Sequence, residues 1–218
     1  MSRKKTSKNH SSASSSRWLN RQKSDSYVQS ARQSGFRSRA VFKLQQLDQR
    51  DRLIKPGMTI VDLGAAPGGW SQYAASRMSG NGRVVAIDRL EMKPLEGVEF
   101  LHGDFLDPVI IVQLFELIAG GRVDLVLSDL SPNHSGVRAV DEARSMELIK
   151  AALGFAQNVL KSSGVFAIKA FEGGEIKPLT DELKRCFRSV NIRKPEASRA
   201  QSREIYLVAK GYNGSPSI

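Results

Sequence analysis

The 218-residue chain has one cysteine, Cys186, so no disulfide can form within it. Its histidines, His10, His102 and His134, stand far apart, and no metal-ligand spacing occurs, so no metal is expected. No run of 18 or more apolar residues is present, which excludes a helical membrane span. The first residues also lack the apolar core that a secretory signal needs. These absences lead to the expectation of a soluble, metal-free, cytoplasmic protein without a membrane partner; a monomer is expected as well.

Acidic residues are scarce in one region only. Residues 1–39 hold Arg3, Lys4, Lys5, Lys8, Arg17, Arg21, Lys23, Arg32, Arg37 and Arg39 against the single acid Asp25. The formal net charge of +11 therefore resides almost entirely in this segment. An arm of this kind suits a polyanion, because neutralising phosphates releases counterions. A solvated tail is the plainer alternative. A mitochondrial presequence ranks third, because the first 17 residues lack an amphipathic apolar stripe. The expected organisation is a basic arm over 1–34, without packed structure of its own, a folded domain over 35–212 and a short tail over 213–218.

A helix is predicted from Ser38 to Arg50. At 100° per residue, Phe36, Ala40, Leu44 and Leu47 share one face, and Lys43 falls among them. Such a lysine either snorkels along its stem or points into a polar site; snorkelling is the default expectation. Beyond Pro56 the chain alternates short apolar runs with amphipathic ones. Strands are predicted at Thr59–Leu63, Arg83–Ile87, Val98–His102, Val123–Ser128, Val165–Lys169, Val190–Arg193 and Ile205–Ala209. Helices are predicted at Trp70–Met78, Val109–Ile118, Asp141–Leu160 and Pro178–Phe187, with a short stretch near Met92. This is an α/β pattern of seven strands in a mostly parallel sheet. The Lys194–Arg203 connection is too short for a parallel crossover, so the last strand is expected to be antiparallel.

The densest local signal is Val61-Asp62-Leu63-Gly64-Ala65-Ala66-Pro67-Gly68-Gly69-Trp70. A buried strand ends in a small-residue loop and a helix follows, which lets a ligand approach backbone N–H groups. Gly64 and Gly68 are four apart, so the dinucleotide fingerprint fails. Asp88 ends the second strand, where an acid can accept hydrogen bonds from a nucleoside ribose. Asp104 follows the third strand and Asp129 the fourth. One strand-end acid is ordinary capping; three in succession read as one ligand crevice. Asp62, inside its strand, reads as structural.

At these residues the chain resembles the FtsJ/RrmJ-type ribose 2′-O-methyltransferases, the RlmE family of large-subunit ribosomal RNA (uridine-2′-O-)-methyltransferases. The matching stretches are S-R-A-V-F-K-L (38–44), D-L-G-A-A-P-G-G-W-S-Q-Y (62–73), S-D-L-S-P-N-H-S-G (128–136), I-K-A-F-E-G (168–173) and S-R-A-Q-S-R-E-I-Y (198–206). The resemblance implies a Rossmann-like S-adenosylmethionine-dependent methyltransferase fold. It implies cofactor contacts at Gly68, Trp70, Asp88, Asp104 and Asp129. It also implies a catalytic set of Lys43, Asp129, Lys169 and Glu204, acting on ribosomal RNA within the assembled large subunit.

The chemistry explains why those four residue types belong together. The enzyme must align a hydroxyl behind an activated methyl carbon, help remove its proton and stabilise developing oxyanion character. Lys169, late in its strand, is the expected proton acceptor. Burial and the cation of Lys43 favour its neutral amine, whereas Asp129 and Glu204 favour the ammonium; the sequence does not decide between them. Rival readings are a nicotinamide oxidoreductase, an amino-directed methyltransferase, a methyltransferase of transfer RNA or another structured RNA, and a non-catalytic RNA-binding module. The first lacks its glycine fingerprint. The second lacks its Pro-Pro-aromatic stretch after Asp129.

Overall fold

The computed structural model describes residues 25–118, 122–133, 135–199 and 201–214. Most of the basic arm, with His134 and the last four tail residues, lies outside them. In chain order the elements are α1 (Ser26–Gln33), α2 (Val41–Asp51), β1 (Thr59–Leu63), α3 (Gly69–Met78), β2 (Arg83–Asp88), β3 (Val98–His102) and α4 (Pro108–Leu117). They continue with β4 (Val123–Ser128), α5 (Arg138–Val159), β5 (Leu160–Phe171), α6 (Ile176–Cys186), β6 (Phe187–Arg193) and β7 (Glu204–Tyr212).

The strands form one sheet in the order β3-β2-β1-β4-β5-β7-β6. The first five strands in this order pair in parallel, and β7 runs antiparallel to both β5 and β6. Strands β1, β2 and β4 are nearly continuous in buried β-branched and aliphatic residues, as parallel strands covered on both faces must be. The chain order reverses between β1 and β4. Their loops therefore diverge and open a crevice at the carboxyl ends of the strands.

Two cores sandwich the sheet. Leu114, Leu153, Leu183, Ile205 and Leu207 belong to one face. Val41, Leu44, Leu47, Trp70, Ala167, Tyr206 and Val208 belong to the other. Strand alternation thus sends Glu204, Tyr206 and Val208 toward α2 and α3, and Lys169 follows Ala167 to that same side. Lys169 and Tyr206 are direct partners across β5 and β7.

Several boundaries differ from the sequence expectations. Residues 26–33, placed in an unstructured arm, form α1. Asp25 caps that helix, accepting from the N–H groups of Tyr27 and Val28, while Val28 and Ala31 are buried. Helix α2 starts at Val41 rather than Ser38 because the preceding segment is held by α3. The Arg37 N–H donates to Gln72 Oε1 at 3.0 Å, and the Trp70 indole donates to the Ala40 carbonyl at 2.8 Å. No helix forms near Met92. That residue is buried in a loop which the Arg37 guanidinium ties down through the carbonyls of Lys93 and Pro94, both at 2.6 Å. Strand β5 begins at Leu160, earlier than its polar start suggested, because Leu160 pairs with Val123.

Helix α2 carries Lys43, so its anchorage sets the site. Asp48 is buried and accepts from Ile54 N–H at 2.9 Å, Tyr73 Oη at 2.9 Å and Arg77 Nε at 3.2 Å. Asp51 takes both arms of the Arg193 guanidinium, at 2.7 and 2.8 Å. The Arg193 hydrogen bonds and charge, with Lys210, hold the Asp51 carboxyl below the ordinary range despite its burial. Asp48→Ala should cost about 3 kcal/mol, because it strands the Tyr73 hydroxyl and the Ile54 N–H in the core. Denaturant unfolding of the variant measures this loss; a change within about 0.5 kcal/mol would show that α2 is held by its apolar face alone.

Candidate active site

A cavity of about 600 Å³ opens at the crevice, and its lining includes Gly64, Asp88, Asp104, Asp129, Leu130 and Lys169. Gly64 has a φ of +80°, and a Cβ there would stand 3.0 Å from the Leu130 backbone, so a side chain would wedge the β1 and β4 loops apart. Asp88 is oriented by two backbone donors: its Oδ2 accepts from Ala66 at 2.9 Å and its Oδ1 from Leu90 at 2.8 Å. Asp104 accepts from Leu106 N–H at 3.0 Å. Each carboxylate keeps lone pairs for a donor in the cavity. Leu90 and Leu106, 61% and 42% exposed, give the same cavity apolar walls. Acceptors for hydroxyls beside apolar walls, in a space of this size, fit an adenosine-bearing cofactor.

Gly68 and Trp70 are not among the residues lining that cavity. Gly68 has a φ of +102° and lies against Met92 and Arg37. The Trp70 ring is buried against Tyr206, with centroids 5.6 Å apart, and its indole N–H is taken by Ala40. What Trp70 retains for a ligand is its backbone N–H in the first turn of α3, where no intrahelical acceptor exists.

The four residues of the expected catalytic set meet in one chain of contacts. Lys169 Nζ lies 2.7 Å from the Asp129 carbonyl and 3.2 Å from its Oδ1. Tyr206 donates its hydroxyl to Asp129 Oδ1 at 2.8 Å and stands 3.3 Å from Glu204 Oε1. Glu204 Oε1 also receives Lys43 Nζ at 2.6 Å and the Ser198 hydroxyl at 3.0 Å. Lys43 therefore points into a polar site rather than snorkelling. Asp129 and Lys169 line the first cavity, whereas Lys43 and Glu204 line a second of about 310 Å³ with Arg39, Ala40, Arg199 and Ser202. The network joins the two cavities.

Tyr206 is the link that the sequence reading missed. Burial, then the carboxylates of Asp129 and Glu204, push its phenol well above the ordinary value. It stays protonated and works as a donor between two acids. The available signal was its spacing: Glu204 and Tyr206 are two apart in a strand and so share a face.

Asp62 is fully buried beneath this site. The Ser71 hydroxyl donates to its Oδ2 at 2.6 Å, while its Oδ1 has no hydrogen-bond partner among the described residues. Burial, with the charges of Asp129 and Asp88, raises its carboxyl to about 7, against the lowering effect of Ser71. Its expected structural role agrees with this geometry.

A sheet with a lone antiparallel seventh strand, strand-end acids and a nucleoside-sized crevice defines the Rossmann-like methyltransferase class. Residues 36–212 match the FtsJ-like methyltransferase family, and the chain belongs to it. A protein named as a ribosomal RNA methyltransferase from Plasmodium falciparum shares 29% identity and a TM-score of 0.75, over 83% of this chain and 100% of that one. An rRNA-methylase of Clostridium thermocellum (20% identity, TM-score 0.54, 77% and 96% coverage) shares the fold. So does a Burkholderia thailandensis 1,6-didemethyltoxoflavin-N1-methyltransferase solved with S-adenosylhomocysteine (16% identity, TM-score 0.54, 95% and 94% coverage).

The Asp62 environment has a consequence for stability. From the ordinary carboxylate range up to about pH 7 the folded protein keeps a proton on Asp62 that the unfolded chain has released. Its contribution to stability therefore falls as pH rises through that window and levels off above it. Asp62→Asn imitates the protonated form. Unfolding free energies from about pH 4 to about pH 8 should move in favour of the variant as pH rises. Identical pH dependence of variant and wild type would show that Asp62 is ionised throughout.

Proposed function

We propose that this protein transfers a methyl group to the 2′-hydroxyl of a ribose, that of a uridine in large-subunit ribosomal RNA, with the assembled subunit as its substrate. The methyl donor is S-adenosylmethionine. The observation that carries the reading is the Lys169–Asp129–Tyr206–Glu204–Lys43 network, which spans the border between a nucleoside-shaped cavity and a cationic one. The basic N-terminal arm and the likeness to a named ribosomal RNA methyltransferase support RNA as the acceptor.

The cofactor would be held by Asp88, Asp104 and Asp129 and by the Gly64 loop, and when bound it would supply a methyl group activated by positive sulfur. The chain's own residues handle the hydroxyl. Lys43 in the second cavity offers a cation to the ribose oxygens, and Glu204, itself held by the Ser198 hydroxyl, fixes its direction. The carbonyl and Oδ1 of Asp129 fix Lys169 Nζ at the wall of the first cavity. Lys169 would take up the proton that the 2′-hydroxyl gives up when its oxygen receives the methyl group. Tyr206 keeps Asp129 and Glu204 apart in charge and together in position.

The product test uses tritium-labelled methyl donor and undermethylated large subunits. A 2′-O-methyl group blocks alkaline cleavage at its own linkage, so the label should emerge in an alkali-resistant dinucleotide; label in mononucleotides would mean base methylation. Lys169→Ala should abolish transfer while cofactor affinity stays within a few-fold of wild type. Lys169→Arg should also lose any rise of rate with pH, because arginine does not deprotonate in a protein. Substantial turnover in Lys169→Ala would assign the proton to another group.

A further inference from the structure

Asp25 is the only acid among the first 39 residues, and the fold gives it two tasks. Its Oδ1 caps α1 through Tyr27 N–H at 3.1 Å and Val28 N–H at 3.4 Å. Its Oδ2 sits 2.8 Å from Arg39 Nη1 and 4.0 Å from Arg199 Nε. Those arginines come from opposite ends of the chain and wall the second cavity, beside Lys43 and Glu204. A carboxylate thus rests on a guanidinium pair at the mouth of the pocket read here as the ribose site.

The pair is built for more than this one acid. Arg39 has an anchor apart from α1: its Nη2 donates to the Ala197 carbonyl at 2.5 Å. It would keep its place if Asp25 left. Its Nε–H is buried and has no hydrogen-bond partner among the described residues, so the fork holds a donor that Asp25 leaves unused. Arg199 is half exposed and only loosely engaged. Forked donors of this kind match phosphate oxygens, which are stronger and more numerous acceptors than one carboxylate oxygen.

The chemistry of RNA supplies the ligand. In a ribonucleotide the 2′-hydroxyl and the 3′-phosphodiester sit on adjacent carbons. Any strand that seats its ribose beside Lys43 and Glu204 also brings a phosphodiester to the second cavity, which Arg39 and Arg199 wall. We propose that Arg39 and Arg199 bind the phosphodiester next to the target ribose, and that Asp25 holds this site as an internal stand-in which RNA displaces. This rests on the reading of RNA ribose as the substrate. It makes α1 a latch rather than part of a passive arm: Asp25 keeps the arginines apart from stray anions until a strand with a higher charge density arrives.

The test uses the full-length protein and a fluorescent oligouridine. Asp25→Asn and Asp25→Ser both keep a capping side chain on α1 and remove the charge. Each should tighten oligouridine binding about threefold to tenfold, the range for losing a half-buried ionic competitor. Asp181→Asn, which removes the same charge from the exposed face of α6, should not. Arg199→Gln should weaken binding and reduce the gain from Asp25→Asn. Unchanged or weaker binding in both Asp25 variants would overturn the latch and make Asp25 a strut for Arg39. A gain undiminished in the Arg199→Gln background would also overturn it, as a general charge effect. In either case wild-type methylation of ribosomal RNA would stand. A wild-type protein that methylates no RNA would remove the latch together with the function beneath it.

Discussion

Asp129 stands where the two cavities meet, and the arrangement of the site depends on its three engagements. Its N–H is pinned to the Leu63 carbonyl at 3.0 Å, which ties the end of β4 to the end of β1. Its carbonyl and carboxylate together hold Lys169, and the same carboxylate receives Tyr206. The crevice and the network are therefore one structure seen from two sides. A ligand that draws on Asp129 in the first cavity also alters the acceptor that orients Lys169. The pairing of Lys169 with Tyr206 across β5 and β7 makes this geometry a matter of strand register, and a slip of one residue in either strand would turn that strand's side chain to the opposite face and break the contact.

Much of this was legible in the sequence, for physical reasons. Strands that end in acids announce a crevice, because apolar β-branched runs define where each strand stops; Asp88, Asp104 and Asp129 all stand there. The antiparallel last strand followed from the length of its connection. Lys43 was legible in position but not in direction. Its direction is set by Glu204, distant in sequence, and helical periodicity carries no information about such a partner. Tyr206 was hidden because an aromatic in a buried strand reads as core, which its ring also is. Helix α1 was hidden by the charge around it: two small buried side chains and a capping acid outweigh a composition that otherwise favours disorder. The Trp70 ring shows the converse, a side chain in the most diagnostic motif whose ring serves packing.

The fold also explains why the cationic side of the site can be stiff. Lys43 rides on a helix whose far end is fastened by two buried acids, Asp48 to α3 and Asp51 to the last two strands. Buried charges of this kind contribute little net stability when paired, yet they penalise any shift that separates them. The N-terminal side of α2 is held instead by exchanges with α3 and by Arg37 over the Met92 loop. The segment facing the second cavity is thus continuous with the loop beside the first.

The Asp129 carboxylate, set between the two cavities, is proposed to serve both cofactor and chemistry. Asp129→Asn preserves size and one acceptor but removes the charge. Cofactor affinity by calorimetry and single-turnover methyl transfer at saturating cofactor, measured on the same preparation, test it together. Affinity should fall about tenfold or more, as for a lost charge-assisted hydrogen bond, and the rate by roughly 10² or more. A variant that loses one of the two while keeping the other intact would show that Asp129 serves only one of them.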